Sequence, residues 1–117
     1  MLQFLKTHSK KLIFAIAIIS LLAYFTLEKI PSQIEVHFLD IGQGDAILIV
    51  TPQLKTILID GGPGETVLEE LGDILPFFVR DIDLMILTHP HRDHIEGLVE
   101  VLKRYEVREL LLSGDAY

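Results

Sequence analysis

From Leu12 to Leu27 the chain reads LIFAIAIISLLAYFTL, sixteen residues without a charge between Lys10-Lys11 and Glu28-Lys29. A buried core helix fits this run poorly, because it is apolar all round instead of along one stripe. A hydrocarbon core about 30 Å thick asks for roughly 20 apolar residues, and the flanking lysines can snorkel to make up the difference. Tyr24 suits the membrane–water interface. A cleaved signal peptide shares the basic leader, yet Tyr24-Phe25-Thr26-Leu27 offers no small-x-small cleavage site. The expectation is therefore an uncleaved, single-pass signal anchor in the cell membrane. Residues 1–11 form a basic cytoplasmic leader, 12–27 the span and 28–33 a linker, where Pro31 disfavours helix at Ile30. Residues 34–117 form one globular unit, placed outside the cytoplasm because Lys6, Lys10 and Lys11 stay within it.

Composition narrows what that unit can do. The chain has no cysteine, so disulfides and thiolate metal sites are excluded, and any metal must be held by histidine and carboxylate. Beyond the apolar run stand seven basic and all 17 acidic residues, a formal balance of −10. Such a surface repels phosphate backbones, so action on nucleic acid would need a positive field from metals or from another polypeptide.

The pattern after Pro31 alternates between strand and helix periods. Ile34 to Leu39 alternates as a strand, and Ala46–Val50 (AILIV) and Thr56–Ile59 (TILI) read as buried strands joined by a turn at Pro52-Gln53. Val67, Leu68, Leu71, Ile74, Leu75 and Phe78 follow helical spacing, with a break or kink expected at Gly72 and Pro76. Leu84–Leu87 is a fourth strand, Ile95, Leu98, Val99, Leu102 and Tyr105 stripe a second helix, and Val107–Leu112 is a last strand. This order predicts a layered α/β fold.

Three of the five histidines fall in Thr88-His89-Pro90-His91-Arg92-Asp93-His94, between a buried strand and a helix. Two-residue spacing in extended chain puts His89 and His91 on one side, and Asp93 and His94 turn toward it as the helix begins. Imidazoles with a carboxylate suit zinc, and also manganese or iron. Read singly, Asp93 is a helix N-cap and Arg92 a solvent-facing residue or a partner for Asp93; the cluster as a whole points to metal. His8, in the leader, and His37, mid-strand, carry no functional reading.

Thr-His-Pro-His-x-Asp-His after a buried strand resembles the signature loop of the metallo-beta-lactamase superfamily. Leu58-Ile59-Asp60-Gly61-Gly62 resembles its earlier strand-Asp-Gly motif. Phe38-Leu39-Asp40-Ile41-Gly42-Gln43-Gly44-Asp45-Ala46 resembles the opening hairpin of its ComEC-type competence and DNA-uptake branch. The resemblance implies two divalent metal ions, zinc first and manganese second. His89 and His91 would hold one, and Asp93 and His94 the other, with Asp93 also taking a proton from the attacking water. It implies that Asp60 orients the loop and that Gly61 and Gly62 let the chain pass close to the site, although a plain turn explains them equally. Gly42, Gly44 and Asp45 read as turn residues. Glu96 departs from the family's His-x-Gly-Gly and adds charge near the site.

Family members draw further ligands from a second half of similar size, whereas no histidine follows His94 and Asp115 is the one later aspartate. The expectation is the N-terminal half of an αββα sandwich, and hence a half-site. Three functions follow: a ComEC-like hydrolase of DNA phosphodiesters, a hydrolase of the same fold acting on a lactam or thioester, or an inactive membrane-tethered accessory domain. The partners expected are the membrane, DNA, a DNA-uptake channel protein, or a chain supplying the missing half.

Overall fold

The computed structural model describes residues 2–114, with side chains from Ser9 onward. Asp115 and the side chains of Lys6 and His8 lie outside the described residues. Helix α1 (Leu2–Glu28) contains the apolar run, and its segment Ser9–Glu28 is the one described helix long and apolar enough to cross a membrane. At 1.5 Å per residue its 20 residues span about 30 Å. Its apolar side chains face outward on every side, as in Phe14 (68% exposed) and Ile19 (65%).

Five strands follow in one sheet, ordered as in the chain: β1 (Glu35–Phe38), β2 (Ile47–Val50), β3 (Thr56–Ile59), β4 (Asp81–Leu87) and β5 (Glu106–Leu112). β1, β2 and β3 pair antiparallel, and β3, β4 and β5 pair parallel. Each parallel connection carries a crossover helix, α2 (Thr66–Ile74) and α3 (Arg92–Arg104). The β2–β3 hairpin closes at Thr51–Lys55, where Leu54 takes φ +58 and buries its side chain partly against the core.

Most element boundaries agree with the sequence pattern to within two residues, and the differences have local causes. α2 runs through Gly72 without a break and stops at Leu75, whose extended backbone is what the following Pro76 requires. β4 begins three residues earlier than its apolar run, because Asp81 and Asp83 are matched by cations. Arg108 Nη2 lies 2.6 Å from Asp81, and Lys55 Nζ lies 2.8 Å from Asp83. Thr56 and Asp83 also exchange bonds: the Thr56 N–H donates to Asp83 Oδ2 (3.0 Å), and the Asp83 N–H donates to Thr56 Oγ1 (3.2 Å). Burial pushes the Asp83 carboxyl up, but the Lys55 hydrogen bond, the Thr56 N–H and the Lys55 and Arg108 charges outweigh it and hold it below the usual aspartate value. His37 pairs with Glu35 along β1, 3.1 Å apart.

The two sheet faces differ. Leu48, Val50, Leu58, Met85 and Leu87 point to one side and are buried with Val67 and Leu71 of α2 and Leu98 and Val101 of α3. The opposite side carries two registered rows, Val36–Ile49–Ile57–Leu84–Glu109 and Phe38–Ile47–Ile59–Ile86–Leu111. Nine of those ten residues are apolar, and neither crossover helix covers them; Phe38 is 80% exposed.

Candidate metal centre

The strand directions bring three loops together at one end of the sheet. Asp60 follows β3 and Thr88–His91 follow β4, which runs parallel to it, so both leave the sheet at its carboxyl edge, where open α/β sheets place their ligand sites. The turn after β1 arrives at the same edge, because β1 runs in the same direction as β3.

Asp60 adopts φ +55, a left-handed conformation that aspartate and asparagine tolerate better than most residues. Its N–H donates to Ile86 O (2.9 Å), and its buried carboxylate is turned under the histidine loop. Three donors meet that carboxylate: the Thr88 N–H (2.9 Å), the Thr88 hydroxyl (2.5 Å) and His94 Nδ1 (2.9 Å).

These bonds fix the imidazole tautomers. A carboxylate only accepts, so His94 Nδ1 carries the proton and its lone pair sits on Nε2. The Thr88 hydroxyl has spent its one proton on Asp60, so its 2.9 Å contact with His89 Nδ1 must be one it accepts. His89 likewise keeps its lone pair on Nε2. The rings lie close together, with centroids 3.9 Å apart for His89 and His94 and 4.6 Å for His89 and His91. Among the described residues, Asp60, His89 and His94 form a group whose ligand-capable atoms all lie within 4.8 Å of one another. Within that group the Asp60 carboxylate is hydrogen-bonded to His94 directly and linked to His89 through the Thr88 hydroxyl.

Asp93 lies in the first turn of α3, its Oδ1 4.0 Å from His94 Nε2. That is too long for a hydrogen bond, but two bonds of about 2.0–2.2 Å to one ion would span it. The N-cap of α3 is His91, with no side-chain cap bond. His91 is exposed, with its ring beside that of His89. Arg92 is 86% exposed on its side chain and bonds Glu96 (2.6 Å), one helical turn away, instead of Asp93. The extra charge of Glu96 is thereby paired. Gln43, Pro63, Arg92, Asp93 and Glu96 line an open depression of about 320 Å³ beside the loop.

Backbone contacts hold the three loops in place. Gly44, at φ +80, passes so close to α3 that an added Cβ would stand 2.0 Å from Asp93 O. Asp45 O accepts from the Gly62 N–H (3.2 Å), while Gly42 makes no such approach. Gly61 and Gly97 meet face to face: the Gly61 N–H donates to His94 O and the Gly97 N–H to Gly62 O, both 2.9 Å. A Cβ on Gly97 would stand 1.8 Å from Gly61 O. Thr88 and Gly97 are the two residues here to which the sequence pattern assigned no role. Gly97 carries a signal of its own, since glycine inside an otherwise regular helix costs about 1 kcal/mol and calls for a packing reason.

Comparison with known proteins agrees with this geometry. The family model of the metallo-beta-lactamase superfamily matches residues 39–117. ComE operon protein 3 of Bacillus subtilis (strain 168) is 32% identical over an alignment of 100 residues, covering 71% of this chain and 13% of that protein. Among solved structures, Rm3 metallo-beta-lactamase is similar at 29% identity with a TM-score of 0.51, over 60% of this chain and 26% of that one. Metallo-beta-lactamase SMB-1 in complex with mercaptoacetic acid is similar at 27% identity with a TM-score of 0.51, over 64% and 32%. The chemotaxis sensor ODP, in a peroxy diiron state, shares the fold at 20% identity and a TM-score of 0.51, over 68% and 34%. The chain thus spans a minor part of each of these relatives. With the family matched from Leu39 onward, and its fold shared, this chain belongs to the metallo-beta-lactamase superfamily.

Proposed function

We propose that this chain is the membrane-anchored part of a metal-dependent hydrolase that cleaves DNA phosphodiesters during DNA uptake. The observation carrying this reading is the Asp60–Thr88 network, which turns the lone pairs of His89 and His94 to Nε2 beside His91 and Asp93. Preset imidazoles with a nearby carboxylate fit zinc, and manganese second. His89 and His91 would hold one ion, and Asp93 and His94 a second. Bound there, the ions would supply Lewis acidity and a water of lowered pKa. Asp60 keeps the rings oriented, and Asp93, beside the open depression, is placed to take a proton from the attacking water. The resemblance to ComE operon protein 3 supports the DNA-uptake assignment. The formal charge of −10 beyond the span means that DNA must be drawn in by the ions or by a partner, such as an uptake-channel protein.

Calorimetry with Zn²⁺ and Mn²⁺ on the full chain in detergent tests the ligand set. Binding is expected in the parent chain and absent from a His89→Ala/His91→Ala double variant; equal affinity in the two would sink the assignment. DNA cleavage in a membrane fraction, compared with turnover of a lactam, separates this reading from a lactam hydrolase of the same fold.

The anchor is proposed to be uncleaved, with the site outside the cytoplasm, because Lys6, Lys10 and Lys11 precede the span. A reporter fused after Tyr117 is expected to be active only if it functions outside the cytoplasm. Activity of a strictly cytoplasmic reporter at that position would refute the orientation.

A further inference from the structure

We infer that the end of the sheet opposite the histidine loop rests on lipid headgroups, with Phe77 and Phe78 inserted among them. This rests on the proposed reading of α1 as a membrane span. Pro76 to Val79 form a tight turn closed by a bond from the Val79 N–H to Pro76 O (2.9 Å). Leu75, Pro76 and Val79 are buried and pin the turn, while Phe77 (73% exposed) and Phe78 (47%) project from its two central positions. Those positions ordinarily take glycine, proline, asparagine or aspartate. Here they hold two edge-to-face phenyl rings, 5.8 Å apart, that the core does not use.

Their place in the fold identifies the occupant. Lys29, immediately after α1, donates from Nζ to Gly72 O (3.2 Å) and Leu75 O (3.4 Å). Leu75, the C-cap of α2 two residues before Phe77, is thereby held at the level where the apolar span ends. Strand direction puts Arg80, just before β4, and Lys103 and Arg104, at the end of α3, at this same end of the sheet. The same end also carries Asp81 and Glu106, and Lys103 is paired with Glu100 (2.6 Å), so its charge is mixed; it is the exposed aromatic pair beside the span that suits the headgroup layer. The seven residues of β4, at about 3.3 Å each, put the histidine loop roughly 23 Å farther out.

The chain contains no tryptophan, so Phe77→Trp or Phe78→Trp in the full chain introduces a single indole at an exposed position. Each variant is reconstituted in phosphatidylcholine–phosphatidylglycerol vesicles whose acyl chains carry bromine at a shallow or a deep position. Phe14→Trp, within the span, serves as the control for anchoring, and Phe38→Trp, on the open sheet face, as the control for adsorption. The expected result is blue-shifted emission lost to shallow bromine for Phe77→Trp and Phe78→Trp, emission lost to deep bromine for Phe14→Trp, and no loss for Phe38→Trp. Quenching of Phe14→Trp alone would overturn the headgroup contact and leave the anchor standing. Absence of quenching at all positions would overturn both. Equal quenching at Phe38→Trp would overturn the contact in favour of adsorption through the open face.

Discussion

Replacing Asp60 by asparagine is expected to leave the fold standing while costing the histidine loop about 10–100-fold in metal affinity, the usual effect of losing a residue that orients metal ligands. The two side chains have the same shape, and asparagine tolerates φ +55 as well as aspartate does, so backbone strain does not enter. What changes is the donor count. A carboxylate accepts from the Thr88 N–H, the Thr88 hydroxyl and His94 Nδ1 at once, whereas the amide introduced by Asp60→Asn has one accepting oxygen and two N–H donors. If the oxygen keeps the Thr88 N–H, the amide nitrogen faces His94 Nδ1, which must then accept. The ring proton moves to Nε2 and blocks the lone pair aimed toward Asp93. Stability should fall by only about 1–2 kcal/mol, because most partners find a replacement bond. Thermal unfolding without metal and calorimetry with Zn²⁺ separate the two effects. Unchanged zinc affinity in Asp60→Asn would show that this carboxylate does not set the tautomer.

Residues Gln33–Tyr117, produced without the anchor, are expected to self-associate at micromolar concentration. Nine apolar side chains on ten registered positions leave one face of the sheet uncovered among the described residues. Val36, Phe38 and Leu111 on that face are more than half exposed, and a contiguous apolar face marks an interaction or aggregation surface; β1 and β5 add open edges that can template pairing. Covering the face with a further polypeptide layer would remove the tendency, which is why a partner or additional segment supplying that layer is proposed. Ile49→Thr and Ile57→Thr keep a β-branched residue while adding a hydroxyl to the open face, so each should weaken association about tenfold, or roughly 1.4 kcal/mol, without unfolding the sheet. Leu48→Thr, one residue away but fully buried under the helices, should instead cost about 3 kcal/mol or more of stability. Sedimentation and circular dichroism on the three variants provide the check. A monodisperse parent monomer with cooperative unfolding would show that this face needs no cover.

The linear order of residues was enough to place the apolar span, the strands, the two helices and the histidine loop, because each is written in a local period or a local cluster. A run without charge, an alternation of two and a stripe of 3.6 follow from backbone geometry, and the neighbours along the chain supply the whole signal. The same locality explains the errors at β4 and α2. Asp81 and Asp83 look unlike strand residues until Lys55 and Arg108, distant in sequence, are seen to neutralise them. Gly72 looks like a break, yet α2 continues through it to Ile74, with Val67 and Leu71 buried just before it.

What only the tertiary structure decided is which atoms face one another across the loops. The sequence offered Asp60 as a supporting residue by resemblance alone; the fold shows its carboxylate accepting from Thr88 and His94, and thereby which nitrogen of each imidazole is left with its lone pair. Thr88 and Gly97 have no period to mark them, since their roles depend on contacts with Asp60 and Gly61, dozens of residues earlier. Strand direction, too, is a property of pairing, and it is pairing that places the histidine loop at one end of the sheet and the Phe77–Phe78 turn at the other.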